Sequence, residues 1–566
     1  MYDTREFRNL GTVEGMDAAQ LARNLADGKG YTTDFVRPVS MWLLKQKATD
    51  GGTKAPGPDV YRLRGAHPDL ANPPVYPLLL AAWMKVIPFH HPIASPTGFW
   101  IYQPDLMIAF LNQLCFLGAA VLVYFLGRRV FDPSVGWVSA IVFFCTEEFW
   151  RYSVSGLPTL LMLVIFLGTI LMLVRLEEGV RGEQKGPGWV LMMAGLAGLL
   201  IGLGALTRYS FGWLILPVVG YLLLFLGPQR ILAAVVAVVV FLAVLSPWVA
   251  RNYSVSGTLF GIGGYALAAD AGVSSRKVEA SLDPSEDLKK FGFQGVRIKL
   301  VSNLTTIVRD ELPKLGGSWV TGLFLAGLLI PFRSQTLGRL RVLVLMCLAV
   351  LMVVQALGKT HLSSEGSQQS SENVLALATP VVFIFGVGMF FILLEQLRLT
   401  TVQGRLLVIV AFVVLVSAPM ILTLLPPRTV PHVYPPYYPP VIQQTSGWVA
   451  ENELMMSDIP EAVAWYGRRH CVGFTWDLEK HFYEINDFHR PIAALYLTPV
   501  TMDGKLLSQM LGPETRAWGL FLLESLIRRE VHARFPLRVA APGFFPDRLS
   551  DQLFLTDRER WAGRSR

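Results

Sequence analysis

Leu106-Met-Ile-Ala-Phe-Leu-Asn-Gln-Leu-Cys-Phe-Leu-Gly-Ala-Ala-Val-Leu-Val-Tyr-Phe-Leu-Gly127 runs for 22 residues without a charge and is followed at once by Arg128-Arg129. A bilayer hydrocarbon core about 30 Å thick needs roughly 20 apolar residues in a helix, so this stretch reads as a transmembrane span with a basic end. Nine more apolar runs follow: Val135 to Trp150, Gly156 to Val174, Trp189 to Leu206, Phe211 to Leu226, Ile231 to Ala250, Trp319 to Phe332, Val342 to Leu357, Leu375 to Leu394 and Leu406 to Leu425. The fold class they predict is mainly α: a polytopic transmembrane helical bundle of about ten spans over residues 106–425.

Composition agrees. Of the 566 residues, 52% are hydrophobic and only 16% charged, and the mean hydropathy is +0.44, whereas soluble domains carry about 25% charged residues. The net charge of +8 does not point to nucleic acid, because the Lys and Arg are dispersed among short loops between apolar runs. Of four cysteines, Cys115, Cys145 and Cys347 lie in apolar segments and Cys471 stands alone in a polar one, so the sequence contains no disulfide framework and no CxxC metal motif.

Positive charge in short loops marks the cytoplasmic side. One alternate set of loops holds eleven cations: Arg128, Arg129, Arg175, Arg181, Lys185, Arg230, Arg333, Arg339, Arg341, Arg398 and Arg405. The opposite set holds only Arg151, Arg208 and Lys359. Residues 1–105, the loop 251–316 and everything beyond Pro426 are therefore expected outside. Val75 to Pro88 is too short to span and reads as a helix lying at the outer interface, with Trp83 and Lys85 at headgroup level. With the first 105 residues outside and Met1 to Leu10 polar, the topology predicts a further transmembrane helix upstream, an expectation that N-terminal sequencing of the native protein would contradict by finding Met1.

Beyond the bundle, the prolines of residues 426–442 read as a stiff extended linker. Residues 443–566 then alternate: strand Leu454 to Met456, helix Pro460 to Arg468, strand Cys471 to Thr475, helix Leu478 to Ile485, strand Ile492 to Leu497. That pattern predicts a small extracytoplasmic α/β domain. It contains no phosphate-binding loop, so it is expected to bind, position or stabilise.

Chemistry concentrates near the start. Ala18, Leu21, Ala22 and Leu25 recur at helical spacing and place Glu14 and Asp17 one turn apart at a helix start. Such acids favour the helix dipole, and either is equally suited to act as general base or metal ligand. Arg208 and Arg251 end their spans on the outer side, where a guanidinium meets a phosphate or snorkels to the interface. Glu147-Glu148, His67-Pro68-Asp69, Lys359 and His361 share that side, and Lys359 to Asn373 reads as a polar outer loop able to gate a groove.

Several segments together resemble the GT-C glycosyltransferases, in particular the bacterial relatives of protein O-mannosyltransferases and of the enzymes that add aminoarabinose to lipid A. The resemblance rests on the acid at Glu14 or Asp17, Ala22 to Leu25, the Gly28 to Gly30 turn, Pro73-Pro74-Val75-Tyr76-Pro77, Gly127 to Phe131, Ala205-Leu206-Thr207-Arg208-Tyr209 and Pro247 to Tyr253, and covers about residues 10 to 420. It implies an enzyme of the bacterial cytoplasmic membrane that moves a sugar from a polyprenyl-phosphate carrier to a hydroxyl of a protein, lipid or glycan at the outer face, by inversion. Glu14 or Asp17 would be the base and Arg208 with Arg251 would face the phosphate, with Glu148, His67, Lys359 and His361 accessory. The superfamily includes metal-dependent and metal-independent members, so a divalent cation stays open. Two departures stand out: many relatives carry a plain Asp-Glu pair where this chain has Glu14-Gly15-Met16-Asp17, and often a Lys before the Pro-Pro motif where it has Asn72. The rival readings are a lipid or glycan transporter, which should place charges at mid-membrane, and an inactive envelope scaffold.

Overall fold

A computed structural model describes residues 7, 9–50, 57–93, 99–182, 184–269, 271, 274–330, 335–360, 369–397, 401–425, 437–501, 508, 510–512, 515–525, 530–541 and 552–561. Among these, six helices are long and apolar enough to cross a membrane: Gln103–Val130, Thr159–Arg181, Pro187–Ala205, Gly227–Ser256, Gln335–Gly358 and Val374–Gln396. Two further pairs, Phe293–Lys314 with Trp319–Leu329 and Val402–Val416 with Ala418–Leu424, are bent by 105° and 64°. Among the described residues every apolar run read from the sequence is largely helical, but not every one is long. Val135 to Trp150 breaks at Cys145-Thr146 into a helix of 12 residues, Pro133–Phe144, and one of 8, Glu147–Val154. At 1.5 Å per residue the first spans only about 18 Å. Phe211 to Leu226 becomes Tyr209–Phe225, beginning as a 3-10 helix. Val75–Val86 is a separate 12-residue helix, short enough for the interface role expected of it.

The spans pack as their composition dictates. Small residues let backbones meet: a Cβ on Gly198 would lie 2.2 Å from the Ala237 carbonyl oxygen, so Pro187–Ala205 and Arg230–Ser256 cross in direct backbone contact. Leu232, Val235, Val239 and Leu242 stay exposed on the outside of that pair, as side chains facing lipid do.

The water-facing part is built from both ends of the chain. Its six-stranded sheet has the order β1-β3-β2-β4-β6-β5, with β1 Phe35–Val36, β2 Leu454–Ser457, β3 His470–Gly473, β4 Ile492–Leu497, β5 Val539–Ala540 and β6 Leu553–Thr556. β1 comes from the first loop and pairs in parallel with β3, so residues 1–105 and 443–566 share one sheet. β2 and β4 are buried along their whole length, as central strands of a parallel sheet covered on both faces are. The outer pair, β6 and β5, runs antiparallel.

Local details differ from the sequence reading. The linker expected to be extended to residue 442 turns helical at Pro439, where Pro439–Gly447 begins with prolines in its first turn; their fixed φ suits that position. Residues 426–436 of the linker lie outside the described residues. The helix expected over Leu478 to Ile485 is a pair of π-helical turns, Leu478–Phe482 and Glu484–His489.

One buried carboxylate holds the two ends together. Asp105, fully buried in the first turn of Gln103–Val130, accepts from the Leu10 amide at 2.9 Å, the Trp465 indole N–H at 2.7 Å and the Tyr466 hydroxyl at 2.8 Å. Each donor left unpaired in such a place costs about 1–3 kcal/mol. Asp105→Ala should therefore lower the thermal unfolding midpoint in detergent and expose the linker region to limited proteolysis; an unchanged midpoint and digestion pattern would show the contact to be dispensable.

Candidate active site

Glu14 and Asp17 stand in the first turns of the helix Val13–Ala26. The helix start rests on the Ser155-Gly156 turn: Thr12 Oγ1 donates to the Ser155 carbonyl at 2.5 Å, and a Cβ on Gly15 would come within 2.6 Å of that same oxygen. Gly15 is thus required by close approach.

The two acids enter different environments. Asp17 is only 1% exposed and its oxygens are fully engaged: Gln20 Nε2 donates to Oδ1 at 3.1 Å, and Arg37 at 2.8 Å and Asn72 Nδ2 at 2.9 Å donate to Oδ2. The salt bridge holds Arg37 firmly protonated, its pKa raised by Asp17 despite burial. Asn72, immediately before the Pro-Pro motif, also donates to Asp69 at 3.2 Å. Asp69 accepts the backbone N–H groups of Ala71 and Asn72 as well, while burial and the neighbouring Asp17 push its carboxyl up from the usual range.

Glu14 instead faces the end of the bundle. Ser371 Oγ donates to its Oε1 at 2.5 Å, Arg208 lies 3.7 Å from the same oxygen, and Arg208 also donates to Ser371. Both of these side-chain contacts are made to Oε1, and the Glu14 backbone N–H supplies the further hydrogen bond to the carboxyl. Burial raises the Glu14 pKa; Arg208 and Ser371 oppose this, and Glu372 adds to it. A carboxylate poised in this way is a better proton acceptor than a solvated one.

Arg251 closes the other side. Its guanidinium donates to the Asp69 carbonyl oxygen at 2.7 Å and to Asn252 Oδ1 at 3.0 Å, and lies over the rings of Trp248 at 4.9 Å and Tyr31 at 5.2 Å. The Leu70 segment is pinned by Gly261, where a Cβ would strike the Leu70 carbonyl oxygen at 2.1 Å. The Tyr209 hydroxyl accepts from Trp248 Nε1 at 2.8 Å and Asn252 Nδ2 at 3.1 Å, and the Val75 amide bonds to the Leu206 carbonyl at 3.0 Å. Three segments that are far apart in sequence, around Pro73-Pro74, Leu206 to Tyr209 and Trp248 to Asn252, are thereby tied together beside Glu14 and Asp17.

The remaining expected residues are placed less centrally. Glu148 lies in the first turn of Glu147–Val154, where Glu147, one residue earlier, makes the 2.6 Å ion pair with Arg151. Lys359 pairs with Glu311, which also accepts from Gln355 at 2.6 Å. His361 lies outside the described residues. His67 is buried, with Nε2 2.7 Å from Ser40 Oγ. The residues that sequence reasoning did not assign are Arg37, Asn72 and Ser371. Asn72 was marked by its departure from the family pattern, and Ser371 by the polar loop Lys359 to Asn373, whose Ser370-Ser371-Glu372 end is buried against the site; nothing marked Arg37. For a divalent cation, no group of three or more His, Cys, Asp or Glu is gathered among the described residues, and the Asp17 and Asp69 oxygens are already satisfied by Arg37 and amides.

Comparison with known proteins gives the family context. Residues 98–250 match the family model described as dolichyl-phosphate-mannose-protein mannosyltransferase. No curated protein matches in sequence. Among solved structures, the archaeal oligosaccharyltransferase AglB from Archaeoglobus fulgidus, in complex with an inhibitory peptide and a dolichol-phosphate, superimposes with a TM-score of 0.56 at 10% identity over 90% of this chain and 69% of its own. ArnT from Cupriavidus metallidurans, bound to undecaprenyl phosphate, gives a TM-score of 0.53 at 9% identity over 98% of this chain and 96% of its own.

Two outcomes check this geometry. Asp17→Asn removes one partner of a buried ion pair, which costs about 3–5 kcal/mol, so it should destabilise the protein strongly, and a midpoint unchanged from wild type would contradict the role assigned to it. Burial lowers the His67 pKa to about 4 from 6.5, so its neutral form stabilises the fold above pH 6.5 and that contribution, roughly 3 kcal/mol, is lost as pH falls towards 4. The stability difference between wild type and His67→Gln, followed by thermal unfolding from pH 7.5 to 4, should shrink by that amount; a constant difference would contradict it. The chain is thus a multi-pass membrane protein that shares the fold of AglB and ArnT and is similar over residues 98–250 to the dolichyl-phosphate-mannose-protein mannosyltransferase family.

Proposed function

We propose that this chain transfers a sugar from a polyprenyl-phosphate-linked donor to an acceptor hydroxyl at the outer face of the cytoplasmic membrane, with Glu14 as the general base. The observation that carries this reading is the Glu14–Ser371–Arg208 arrangement: a carboxylate held through Oε1, beside a cation at the end of the bundle. Support for the donor class comes from the two structural relatives, whose complexes hold dolichol-phosphate and undecaprenyl phosphate.

The chemistry follows from the charges. The acceptor oxygen attacks the anomeric carbon as the bond from that carbon to the phosphate oxygen breaks. Glu14 takes the hydroxyl proton, and the electron pair leaves with the polyprenyl phosphate. Arg208, beside Glu14, and Arg251, bonded to the Asp69 carbonyl, neutralise the phosphate as its charge grows. One displacement inverts the anomeric configuration and needs one base. Asp17 takes no proton; it holds Arg37 and Asn72, which set the floor of the site. The exposed apolar sides of the spans, such as Trp213, Leu216 and Leu224, offer surface for the lipid tail.

The test is transfer of radiolabelled sugar from polyprenyl-phosphate donors to membrane acceptors by the purified protein. Loss of a general base costs about 10²–10⁴-fold in rate, so Glu14→Gln should fall by at least the lower figure while its unfolding midpoint stays near wild type. Full activity in Glu14→Gln would remove it as the base, and no transfer by well-folded wild type with any donor would overturn the reading as a whole.

A further inference from the structure

A cavity whose lining includes neither Glu14 nor Asp17 lies between the two segments that form the water-facing unit. Its volume is about 540 Å³, within the ~300–1,000 Å³ range of ligand sites. One wall comes from the first loop, with Lys45 in the helix Pro38–Thr49 and Tyr61 and Arg62 at the end of Pro58–Tyr61. The other comes from the two π-helical turns, with Lys480, Phe488 and His489, and from Tyr483 between them. Pockets prefer such junctions between segments, and π-turns are rare and frequent at functional sites.

Three features describe what fits there. The first is an aromatic surface: Phe488 is 74% exposed at the rim, and the Tyr61 and His489 rings meet edge-on at 6.5 Å. An exposed Phe held in the mouth of a polar pocket offers a flat apolar face, the complement of the C–H face of a pyranose ring. The second is charge: three cations, Lys45, Arg62 and Lys480, stand against the carboxylates Glu479 and Glu484. Glu484 is consumed internally, bonded to Lys45 at 3.1 Å and 3.6 Å from His489 Nε2, and these partners, His489 first, hold its carboxyl down at about 2. That leaves Arg62, its guanidinium 5.9 Å from the Tyr61 ring centroid, and Lys480, exposed, against the single exposed carboxylate Glu479, so the lining keeps one net positive charge with which to take an anionic group. The third is His489 itself, 7% exposed in the wall, whose Nδ1 has no hydrogen-bond partner among the described residues.

We infer that this pocket binds a short anionic oligosaccharide, with sugar rings stacked on Phe488 and its carboxylate or phosphate held by Arg62 and Lys480. The site is separate from Glu14 and Asp17 and stands whether or not the chain transfers a sugar.

Isothermal titration calorimetry of the full chain in phosphatidylcholine nanodiscs tests it, with tetragalacturonic acid as anionic probe, cellotetraose as neutral probe and inorganic phosphate as the free anion. Saturable binding of tetragalacturonic acid is expected, weakened about tenfold, or ~1.4 kcal/mol, by Phe488→Ala and by Lys480→Gln, and unchanged in Glu14→Gln. Cellotetraose should bind at least tenfold more weakly, and phosphate should not compete at equal concentration. Both substituted residues are exposed, so loss of binding is not loss of fold. The inference is overturned by absence of saturable binding, by binding that survives both substitutions, by equal affinity for cellotetraose, by competition from phosphate alone, or by loss of binding in Glu14→Gln, which would place the probe in the other site.

Discussion

Everything that positions the candidate chemistry depends on the docking of the helix Val13–Ala26 between the membrane bundle and the sheet. Asp105 fixes the bundle side of this joint by accepting three hydrogen bonds from the first loop and from Trp465-Tyr466. Arg23 fixes the sheet side: it is 4% exposed, donates to the Ala464 and Trp465 carbonyls at 2.8 Å each, and pairs with Asp34 at 3.3 Å. A buried guanidinium is costly unless its donors are used. Here carbonyls at the end of Pro460–Trp465, the negative end of that helix, supply partners. The water-facing domain is therefore a structural part of the site, because it clamps the helix that carries Glu14.

The same joint separates the two acids. One helical turn apart, they are turned to different neighbours by the helix: Asp17 inward to Arg37 and Asn72, Glu14 outward to Ser371 and Arg208. A saturated carboxylate stabilises structure, and one with a raised pKa is able to move a proton. On the proposed reading, the Glu14-Gly15-Met16-Asp17 spacing assigns ordering to one residue and proton transfer to the other, with Gly15 fitting against the Ser155 carbonyl.

Much of this was legible in the sequence because hydrophobic runs and the helical period report burial directly. Among the described residues each of the ten apolar runs is largely helical, and strands Leu454 to Met456 and Ile492 to Leu497 coincide with β2 and β4 within a residue. Span length was less legible: Cys145-Thr146 ends a helix with no Pro or Gly to mark the break, and Glu147-Glu148 opens the next. The joining of β1 to β3 left no local trace, since Phe35-Val36 is two residues long and its pairing partner is more than 400 residues away. Of the candidate site residues, Glu14, Asp17, Arg208 and Arg251 could be singled out by residue type at helix and span ends, and the fold gathers them around the Val13–Ala26 helix and the Pro-Pro segment. Arg37 was not, because an Arg before Pro38 in an outer loop looks the same whether it is solvated or buried against an acid.

The most direct test of the account is the pH dependence of kcat/KM for sugar transfer by wild type and Arg208→Gln. A base acts when deprotonated, so transfer should rise with pH through the Glu14 pKa, and burial places that acid limb above the ordinary 4.5. Arg208 favours the charged form, so its removal should move the limb to still higher pH, apart from any loss of maximal rate. A limb at or below 4.5, or one that Arg208→Gln leaves in place, would contradict the pairing of Glu14 with Arg208 on which the proposed reaction rests.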